Sequence, residues 1–156
     1  MADAQRTVIC RNRRARHDYH IDETYEAGIV LCGSEVKSLR LGKAQLVDGY
    51  ARVKNRELWL LKVHISPYEQ ANLLNHEPER DRKLLMHKVE ILRIEHKLRG
   101  QGLTLVPLEM YFEGSHAKVQ LGLARGKRAY DKRQAIAKRE SDRRLRGVLK
   151  QRGRRA

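Results

Sequence analysis

The sequence lacks the features of membrane-spanning and secreted proteins. Its 156 residues contain no run of about 18 apolar residues, so no segment is predicted to cross a membrane. Residues 1–10 lack the apolar stretch of a secretory signal. The two cysteines, Cys10 and Cys32, form neither a CxxC motif nor a disulfide framework. These absences predict a protein of the reducing cytoplasm. The length of the chain favours one domain of ordinary size and a tail.

Motifs of catalysis and metal binding are also missing. The sequence contains no GxSxG, no GxGxxG and no P-loop, and its acidic residues are too dispersed to nominate a general acid and base. Seven histidines are present, but no ligand pairs occur at zinc-finger spacing. We therefore expect neither an enzyme nor a metal site nor a cofactor.

Positive charge, by contrast, is abundant and unevenly distributed. The chain has 34 lysines and arginines against 19 aspartates and glutamates, a net charge of +15. Residues 124–156 alone hold 14 basic and three acidic residues, whereas residues 21–123 hold 15 and 14. A nearly neutral segment can fold around a core, but a segment as basic as 124–156 repels itself and requires an anionic partner. We therefore divide the chain into a body, residues 1–123 with a basic N-terminal arm, and a basic tail, residues 124–156.

The body is predicted to be mainly β-structure with peripheral helices. Hydrophobic patterning and turn residues predict strands at 20–32, 48–53, 57–64, 103–111 and 117–123. A short helix is expected with Ser34 as its N-cap and Gly42 at its C-terminal end. Residues 83–86 lead into a second predicted helix at 87–99. Residues 67–82 are polar and contain two prolines, which predicts a loop. This order of elements favours a small closed antiparallel barrel of the OB type with two or three helices.

The tail is rich in residues that favour a helix, but it has too few large apolar side chains to form a buried helix face. Its few large aliphatic side chains are Ile136, Leu145, Val148 and Leu149, and Gly147 interrupts its second half. We expect the tail to be mobile when free and helical against a partner. RNA is favoured over a membrane, because the tail lacks the Trp, Phe or broad Leu face that membrane surfaces require.

A second basic segment lies near the N-terminus. Residues 12–17, Asn-Arg-Arg-Ala-Arg-His, place three guanidinium groups, an amide and an imidazole together. Arginine binds phosphate with two hydrogen bonds, and His17 or Tyr19 can stack on an unpaired base. Lys37 and Arg40 would extend such a surface. The alternative is a solvated basic arm. No helix-turn-helix or zinc-finger pattern is present, so RNA is favoured over duplex DNA.

Seven short blocks of sequence follow one another along the chain. They are Asn12-Arg-Arg-Ala-Arg-His17, Glu26-Ala-Gly28, Gly33-Ser-Glu-Val-Lys-Ser-Leu-Arg40, Gly42-Lys-Ala44, Arg82-Lys-Leu-Leu85, Ala124-Arg-Gly-Lys127 and Asp131-Lys-Arg133. In their order and spacing they resemble the SsrA-binding protein family, also called small protein B, the bacterial partners of transfer-messenger RNA (tmRNA). The resemblance extends from Asn12 to about Lys138, most of the chain.

The resemblance implies an OB-type barrel that clasps the tRNA-like domain of tmRNA at its D-loop/T-loop elbow. It also implies assistance to alanyl-tRNA synthetase and to the elongation factor that carries aminoacyl-tRNA. The basic tail is implied to enter the empty mRNA channel of the small ribosomal subunit, reach the decoding centre and fold there into a helix. An occupied channel would exclude the tail, so rescue and peptide tagging would be confined to ribosomes stalled on non-stop mRNA.

The same resemblance implies which residues act. Contacts to tmRNA are expected from Asn12, Arg13, Arg14, His17, Glu26, Glu35, Lys37, Arg40, Leu85 and Lys118. Contacts of the tail to the decoding centre and mRNA channel are expected from Gly126, Lys127, Arg128, Tyr130, Asp131, Lys132, Arg133, Lys138, Val148 and Leu149. Two structural alternatives stay open. Leu85 would be a core residue, and Glu26 would be a strand carboxylate that orients an arginine.

Two functions of other classes stay open on the sequence. A general single-stranded RNA chaperone would show little preference among RNAs of equal length. A structural protein of the ribosome would thread rRNA with its basic tail and associate with all subunits, including translating ones. The near-neutral body disfavours both, because non-specific binders spread basic charge over the fold.

Overall fold

A computed structural model describes residues 5–99, 102–126 and 129–154. The chain divides into two units, Met1–Gly126 and Lys127–Ala156. The strands of the first unit are β1 (Arg6–Arg11), β2 (Tyr19–Ile29), β3 (Ala44–Gln45), β4 (Tyr50–Lys54), β5 (Glu57–Leu61), β6 (His64–Ile65), β7 (Arg82–Leu85), β8 (Leu103–Glu113) and β9 (His116–Gly126). Its helices are α1 (Ala15–Asp18), α2 (Gly33–Arg40), α3 (Lys88–Leu98) and a 3-10 helix at Glu69–Leu74. The second unit contains α4 (Ala129–Arg154).

Six strands of the first unit close into a ring by antiparallel pairing. The order around the ring is β8, β4, β5, β7, β2 and β9, and β9 pairs again with β8. Strand β1 adds to β8 at residues 109–113, while β4 pairs with β8 at Leu105. Strands β3 and β6 form a separate pair. The first unit is thus mainly strand, closed as a barrel and flanked by helices, which confirms the predicted fold class.

The inner face of the ring is aliphatic because its strands alternate. In β5, Leu58 and Leu60 are fully buried and Trp59 between them is half-buried. Leu84 of β7 and Leu121 of β9 belong to the same core. Burial of each such side chain stabilises the fold by about 1.5–3 kcal/mol. The alternation therefore sends every second residue of β5 to the outer surface, where it is available for binding.

Two strands lie where other structures are predicted. Residues 6–11, expected to belong to a basic arm, form β1 on the edge of β8. Residues 82–85, expected to close a loop and lead into a helix, form β7 between β5 and β2. Only four residues alternate between buried and exposed in β7. A segment of four residues is too short for its period to distinguish a strand from a helix, so pairing with β5 and β2 decides the structure.

Other predicted boundaries shift by a few residues. Helix α2 begins at Gly33 with Cys32 as its N-cap, not Ser34, because the Glu35 carboxylate accepts the Cys32 backbone N–H at 2.8 Å. It ends at Arg40, before Gly42 with a φ of +72°, as predicted. The predicted strand 57–64 breaks at Lys62, where φ is +59°, so that His64–Ile65 pairs with β3 instead.

Among the described residues of the tail, 129–154 form one helix, α4. Its four large aliphatic side chains are between 42% and 67% exposed; they are Ile136, Leu145, Val148 and Leu149. The expected contrast between a mobile free tail and a helix on a partner stays a prediction. Strand β9 continues past residue 123, where the body is predicted to end, to Gly126. Among the described helices none is long and apolar enough to cross a membrane.

Candidate RNA-binding site

Strand pairing brings Glu26, Leu85 and Lys118 together at one end of the ring. Glu26 lies on β2, Leu85 on β7 and Lys118 on β9. Gly28, two residues after Glu26, pairs with Leu85 on one side and with Lys118 on the other. The Lys118 Nζ donates to the Glu26 carboxylate at 2.9 Å. Residues from three distant parts of the sequence thus form one surface, which we call the Lys118 surface.

The charges of the Lys118 surface hold one another in place. Hydrogen bonds from the Tyr111 hydroxyl and from Lys118 lower the pKa of Glu26. Lys118 also donates to Glu113 at 2.9 Å, and the Glu113 and Glu26 carboxylates raise the pKa of Lys118. Glu26 and Lys118 are therefore both charged at neutral pH. The Glu26 side chain remains 50% exposed, which leaves acceptor positions for a donor on a ligand.

Strand β1 supports this network from the other side of β8. The Arg6 guanidinium lies over the Tyr111 ring, 3.8 Å from its centroid, and pairs with Glu109 at 2.6 Å. Arg11 approaches the same carboxylate at 3.4 Å. Burial and the hydrogen bond to Glu26 raise the pKa of Tyr111, so its hydroxyl stays a donor. These residues belong to no sequence motif, and only the β1–β8 register brings them to the site.

A surface depression of about 300 Å³ lies between Leu85 and Lys118. Leu85 is 55% exposed, so it is not a core residue. Val36 and Phe112 also line the depression, and the Arg40 Cζ lies 5.7 Å from the Phe112 ring centroid. An apolar floor bordered by cations has the chemistry to hold a nucleobase together with its phosphate.

Helix α2 is anchored by Glu35, which faces the interior. Its side chain is fully buried and pairs with Arg82 and, at 2.6 Å, with Arg80. Burial alone would raise the pKa of Glu35, but hydrogen bonds from Arg80 and the Cys32 N–H, and the charge of Arg82, lower that pKa to about 2. The expectation that Glu35 contacts RNA is corrected, because its carboxylate is buried. It serves instead as the counter-charge that the buried Arg82 requires.

The cations of α2 lie on its outer face. Lys37 and Arg40 are exposed, and the Lys37 Nζ lies 5.5 Å from the Tyr68 ring centroid. Arg40 borders the Lys118 surface through Phe112. The burial of Glu35 thus fixes the helix from which Arg40 reaches this surface.

Asn12 is also an internal residue rather than an exposed one. Its Nδ2 donates to the carbonyls of Pro107 at 3.0 Å and Leu46 at 3.3 Å, and its Oδ1 accepts the Ala15 N–H at 3.2 Å. Asn12 is only 7% exposed. The RNA contact expected of Asn12 is therefore corrected to a structural role: its amide holds the chain where β1 turns into α1.

Arg13 and Arg14, which follow Asn12, are exposed on a second surface. The His17 side chain is 41% exposed, with Nδ1 3.0 Å from Asp18. Arg14 lines a depression of about 320 Å³ together with Tyr19 and Tyr50. We call this the Arg14 surface.

The Lys118 and Arg14 surfaces lie at opposite ends of β2. Tyr19, at the Arg14 surface, and Gly28, at the Lys118 surface, are separated by about 30 Å along an extended strand. The exposed residues expected to contact tmRNA therefore include members of two separate surfaces.

The expected ribosome contacts belong to the end of β9 and to α4. Gly126, Arg133, Lys138, Val148 and Leu149 are exposed. Lys127 and Arg128 lie outside the described residues, as do the side chains of Tyr130, Asp131 and Lys132. In the part of the chain that is described, no three His, Cys, Asp or Glu side chains are grouped as metal ligands.

Comparisons with known proteins agree with one another. The family model described as SmpB protein matches residues 9–151. The SsrA-binding protein of Carboxydothermus hydrogenoformans is 59% identical over 145 residues, 93% of this chain and 97% of that protein. The SsrA-binding protein of Streptococcus mutans is 54% identical over 151 residues, 97% of both chains.

A solved structure described as "tmRNA-SmpB: a journey to the center of the bacterial ribosome" matches 81% of this chain and 93% of its own, with a TM-score of 0.67 and 53% identity. The residues matched by the family model include the ring of strands that carries the Lys118 surface. The chain belongs to the SsrA-binding protein family.

Proposed function

We propose that this protein binds tmRNA and acts in the rescue of stalled ribosomes in the bacterial cytoplasm, as a binding protein rather than an enzyme. The names of its relatives and the solved tmRNA-SmpB structure support this function. Within the chain itself, the observation that carries the proposal is the grouping of Glu26, Leu85 and Lys118 from three strands.

The Lys118 surface offers three complementary contacts to a folded RNA. Lys118 supplies a cation for phosphate, and exposed Leu85 supplies an apolar surface for a base or ribose. Glu26 repels phosphate but accepts hydrogen bonds from base amino groups or ribose hydroxyls. A site built for affinity alone would hold cations only, so the carboxylate favours selective recognition.

The Arg14 surface contacts a different stretch of RNA in this proposal. Arg13 and Arg14 are exposed cations, and Tyr19 and Tyr50 beside them are rings on which bases can stack. Because about 30 Å separate the two surfaces along β2, their contributions to RNA affinity should be additive.

The tail occupies the empty mRNA channel and reaches the decoding centre. Supporting this role, α4 carries cations along its length and leaves all four of its large aliphatic side chains exposed. A helix without a buried apolar face has little stability on its own. Contacts between the cations of α4 and the phosphates of rRNA that line the channel would stabilise it. Assistance to alanyl-tRNA synthetase and to the aminoacyl-tRNA elongation factor stays a prediction.

Competition binding with tmRNA and an unrelated RNA of equal length tests the proposal. Lys118→Ala and Leu85→Ala should each weaken tmRNA binding about fivefold, since each removes one contact of the site. The matched controls Lys88→Ala and Val89→Ala change exposed residues of α3 and should bind as the parent protein does.

Two results would point to the rival functions. Equal affinity of the parent protein for both RNAs would indicate a general RNA chaperone. Equal association with translating and stalled ribosomes would indicate a structural protein of the ribosome.

A further inference from the structure

The outer face of β4, β5 and β7 carries a half-buried tryptophan between two cations. Trp59 of β5 pairs with Arg52 of β4 on one side and with Lys83 of β7 on the other. Cβ atoms of directly opposed residues lie about 4.5–5.5 Å apart. A guanidinium, an indole and an ammonium group thus form a row across the sheet, which we call the Trp59 row.

The β4–β5 hairpin concentrates positive charge in a body that is nearly neutral overall. Residues 50–62 contain four cations and one acid; the cations are Arg52, Lys54, Arg56 and Lys62. The acid, Glu57, pairs with Lys83 at 3.2 Å. Arg52 and Lys54 are exposed, and neither has an ion-pair partner among the described residues. An anionic ligand would therefore find unpaired cations on this face.

A depression of about 290 Å³ lies beside Trp59 and Arg52. Leu61 and two acidic residues, Glu57 and Asp81, also line it. The indole N–H of Trp59 has no acceptor within the described residues. Binding of a nucleotide needs an aromatic face for the base and a cation beside it for the phosphate, and this depression offers both.

The Trp59 row continues into the Lys118 surface. Lys83 and Leu85 are two residues apart on β7, so their side chains lie on the same face of the sheet. Leu85 in turn pairs with Gly28, which pairs with Lys118. An RNA bound at the Lys118 surface can therefore extend over Trp59 without crossing an edge of the sheet.

We propose that Trp59 stacks on an unpaired nucleotide of the tmRNA held at the Lys118 surface, and that Arg52 binds the phosphate beside that nucleotide. Charge complementarity and continuity with the Lys118 surface identify this occupant. The proposal rests on the proposed function, since it extends the same RNA contact by one stacking position.

The fluorescence of the native protein tests the stacking directly. Trp59 is the single tryptophan of the chain, so its emission reports this position without any substitution. The full-length protein is titrated with tmRNA and with an unrelated RNA of equal length, while the anisotropy of end-labelled RNA follows binding independently. We expect tmRNA to quench Trp59 and to shield it from acrylamide over the concentrations at which the RNA binds.

Substitutions measure how much the stacking contributes to affinity. Trp59→Leu should weaken tmRNA binding about tenfold, and Trp59→Phe, which keeps an aromatic face, should weaken it less. Arg52→Ala should weaken binding about threefold, whereas Arg93→Ala, the loss of an exposed arginine on α3, should not. Thermal unfolding identifies any variant that fails to fold. The fluorescence titration uses the parent protein, so its result does not depend on whether a variant folds.

The outcomes separate this proposal from the proposed function. The stacking proposal is wrong if the Trp59 emission is unchanged at saturating tmRNA and Trp59→Leu binds tmRNA as tightly as the parent protein. The proposed function still holds in that case if Lys118→Ala weakens binding. Equal quenching by both RNAs overturns the assignment to tmRNA. If the parent protein does not prefer tmRNA at all, the proposed function and the stacking proposal fail together.

Discussion

At the scale of single residues, the fold depends most on a carboxylate buried between two arginines. Glu35 is fully buried, and it joins α2 to Arg82 of β7 and to Arg80. Arg82 is itself fully buried and donates to the carbonyl oxygens of Val63 at 2.8 Å and Pro78 at 3.1 Å. Removing the carboxylate would leave a buried guanidinium without a counter-charge, which costs about 3–5 kcal/mol.

The stability of the protein should therefore depend on pH through Glu35. Its pKa is about 2 in the folded protein against an ordinary value of 4.5, so its ionised form stabilises the fold at neutral pH by on the order of 3 kcal/mol. This stabilisation is complete above pH 4.5 and is lost as the pH falls towards 2. Urea unfolding from pH 7 to pH 2.5 should show Glu35→Gln several kcal/mol less stable at pH 7, with the difference shrinking below pH 4.5.

The control for this measurement is Glu95→Gln. Glu95 pairs with Arg99 on the surface of α3, where an ion pair contributes less than about 1 kcal/mol. A difference between Glu35→Gln and the parent protein that stays constant down to pH 3 would contradict the role given to Glu35.

Gly49 is a second residue whose replacement should be costly. A Cβ at this position would lie 2.5 Å from the Val63 Cγ2 and 3.1 Å from the Pro107 Cγ. Gly49→Ala should lower the free energy of unfolding by about 1–3 kcal/mol, because the surrounding core is fully packed. Gly33→Ala is the matched control: no atom lies within 4 Å of its Cβ position, so its unfolding midpoint in urea should not fall below that of the parent protein.

Among single residues, the sequence shows which blocks resemble the family but not the direction of each side chain. Glu26, Leu85 and Lys118 follow from the resemblance to the family, and the sheet brings them together. Asn12 and Glu35 lie in the same blocks as exposed cations, yet both point inward. Direction depends on which strand lies opposite, and that pairing is not encoded locally.

At the scale of elements, segments with local signals are predicted well and segments with remote partners are not. Helices α2 and α3 and the two hairpins follow from caps, periodicity and turn residues. Strands β1 and β7 take their structure from pairing with β8, β5 and β2. The Trp59 row requires the β5–β7 register, so no reading of the sequence alone could have placed Lys83 beside Trp59.

The helix of the tail offers a prediction at the same scale. Gly147 lies inside α4 with no atom near its Cβ position, and glycine costs a helix about 1 kcal/mol relative to alanine. Gly147→Ala should therefore increase the ellipticity of the full-length protein at 222 nm. Gly153→Ala, close to the end of α4, should change the ellipticity less because helix ends fray. An unchanged signal for Gly147→Ala would show that helix propensity does not limit the free tail.

At the scale of the whole molecule, the boundary between the nearly neutral segment and the strongly basic segment lies close to the boundary between the two structural units. The unit that ends at Gly126 contains the closed ring, the aliphatic core and the Lys118 surface. The unit that follows contains one exposed, strongly basic helix. Recognition of a particular RNA needs a fixed arrangement of different groups, whereas non-specific attraction needs only cations. We therefore propose that the unit ending at Gly126 provides selectivity for tmRNA and that the tail provides general RNA affinity.

Salt separates these two contributions. If about half of the basic residues of the tail meet phosphates, the tail makes the affinity fall with about the fifth power of the salt concentration. A chain truncated after Gly126 should show a much shallower salt dependence, but the same ratio of affinities for tmRNA and for an unrelated RNA.

The central claim, that the unit ending at Gly126 recognises tmRNA without the tail, is tested most directly by that ratio. Binding of the full chain and of the truncated chain to tmRNA and to an unrelated RNA of equal length is measured across a salt series. We predict that truncation lowers both affinities and preserves the preference for tmRNA. Loss of the preference in the truncated chain, or equal binding of both RNAs by the full chain, would contradict it.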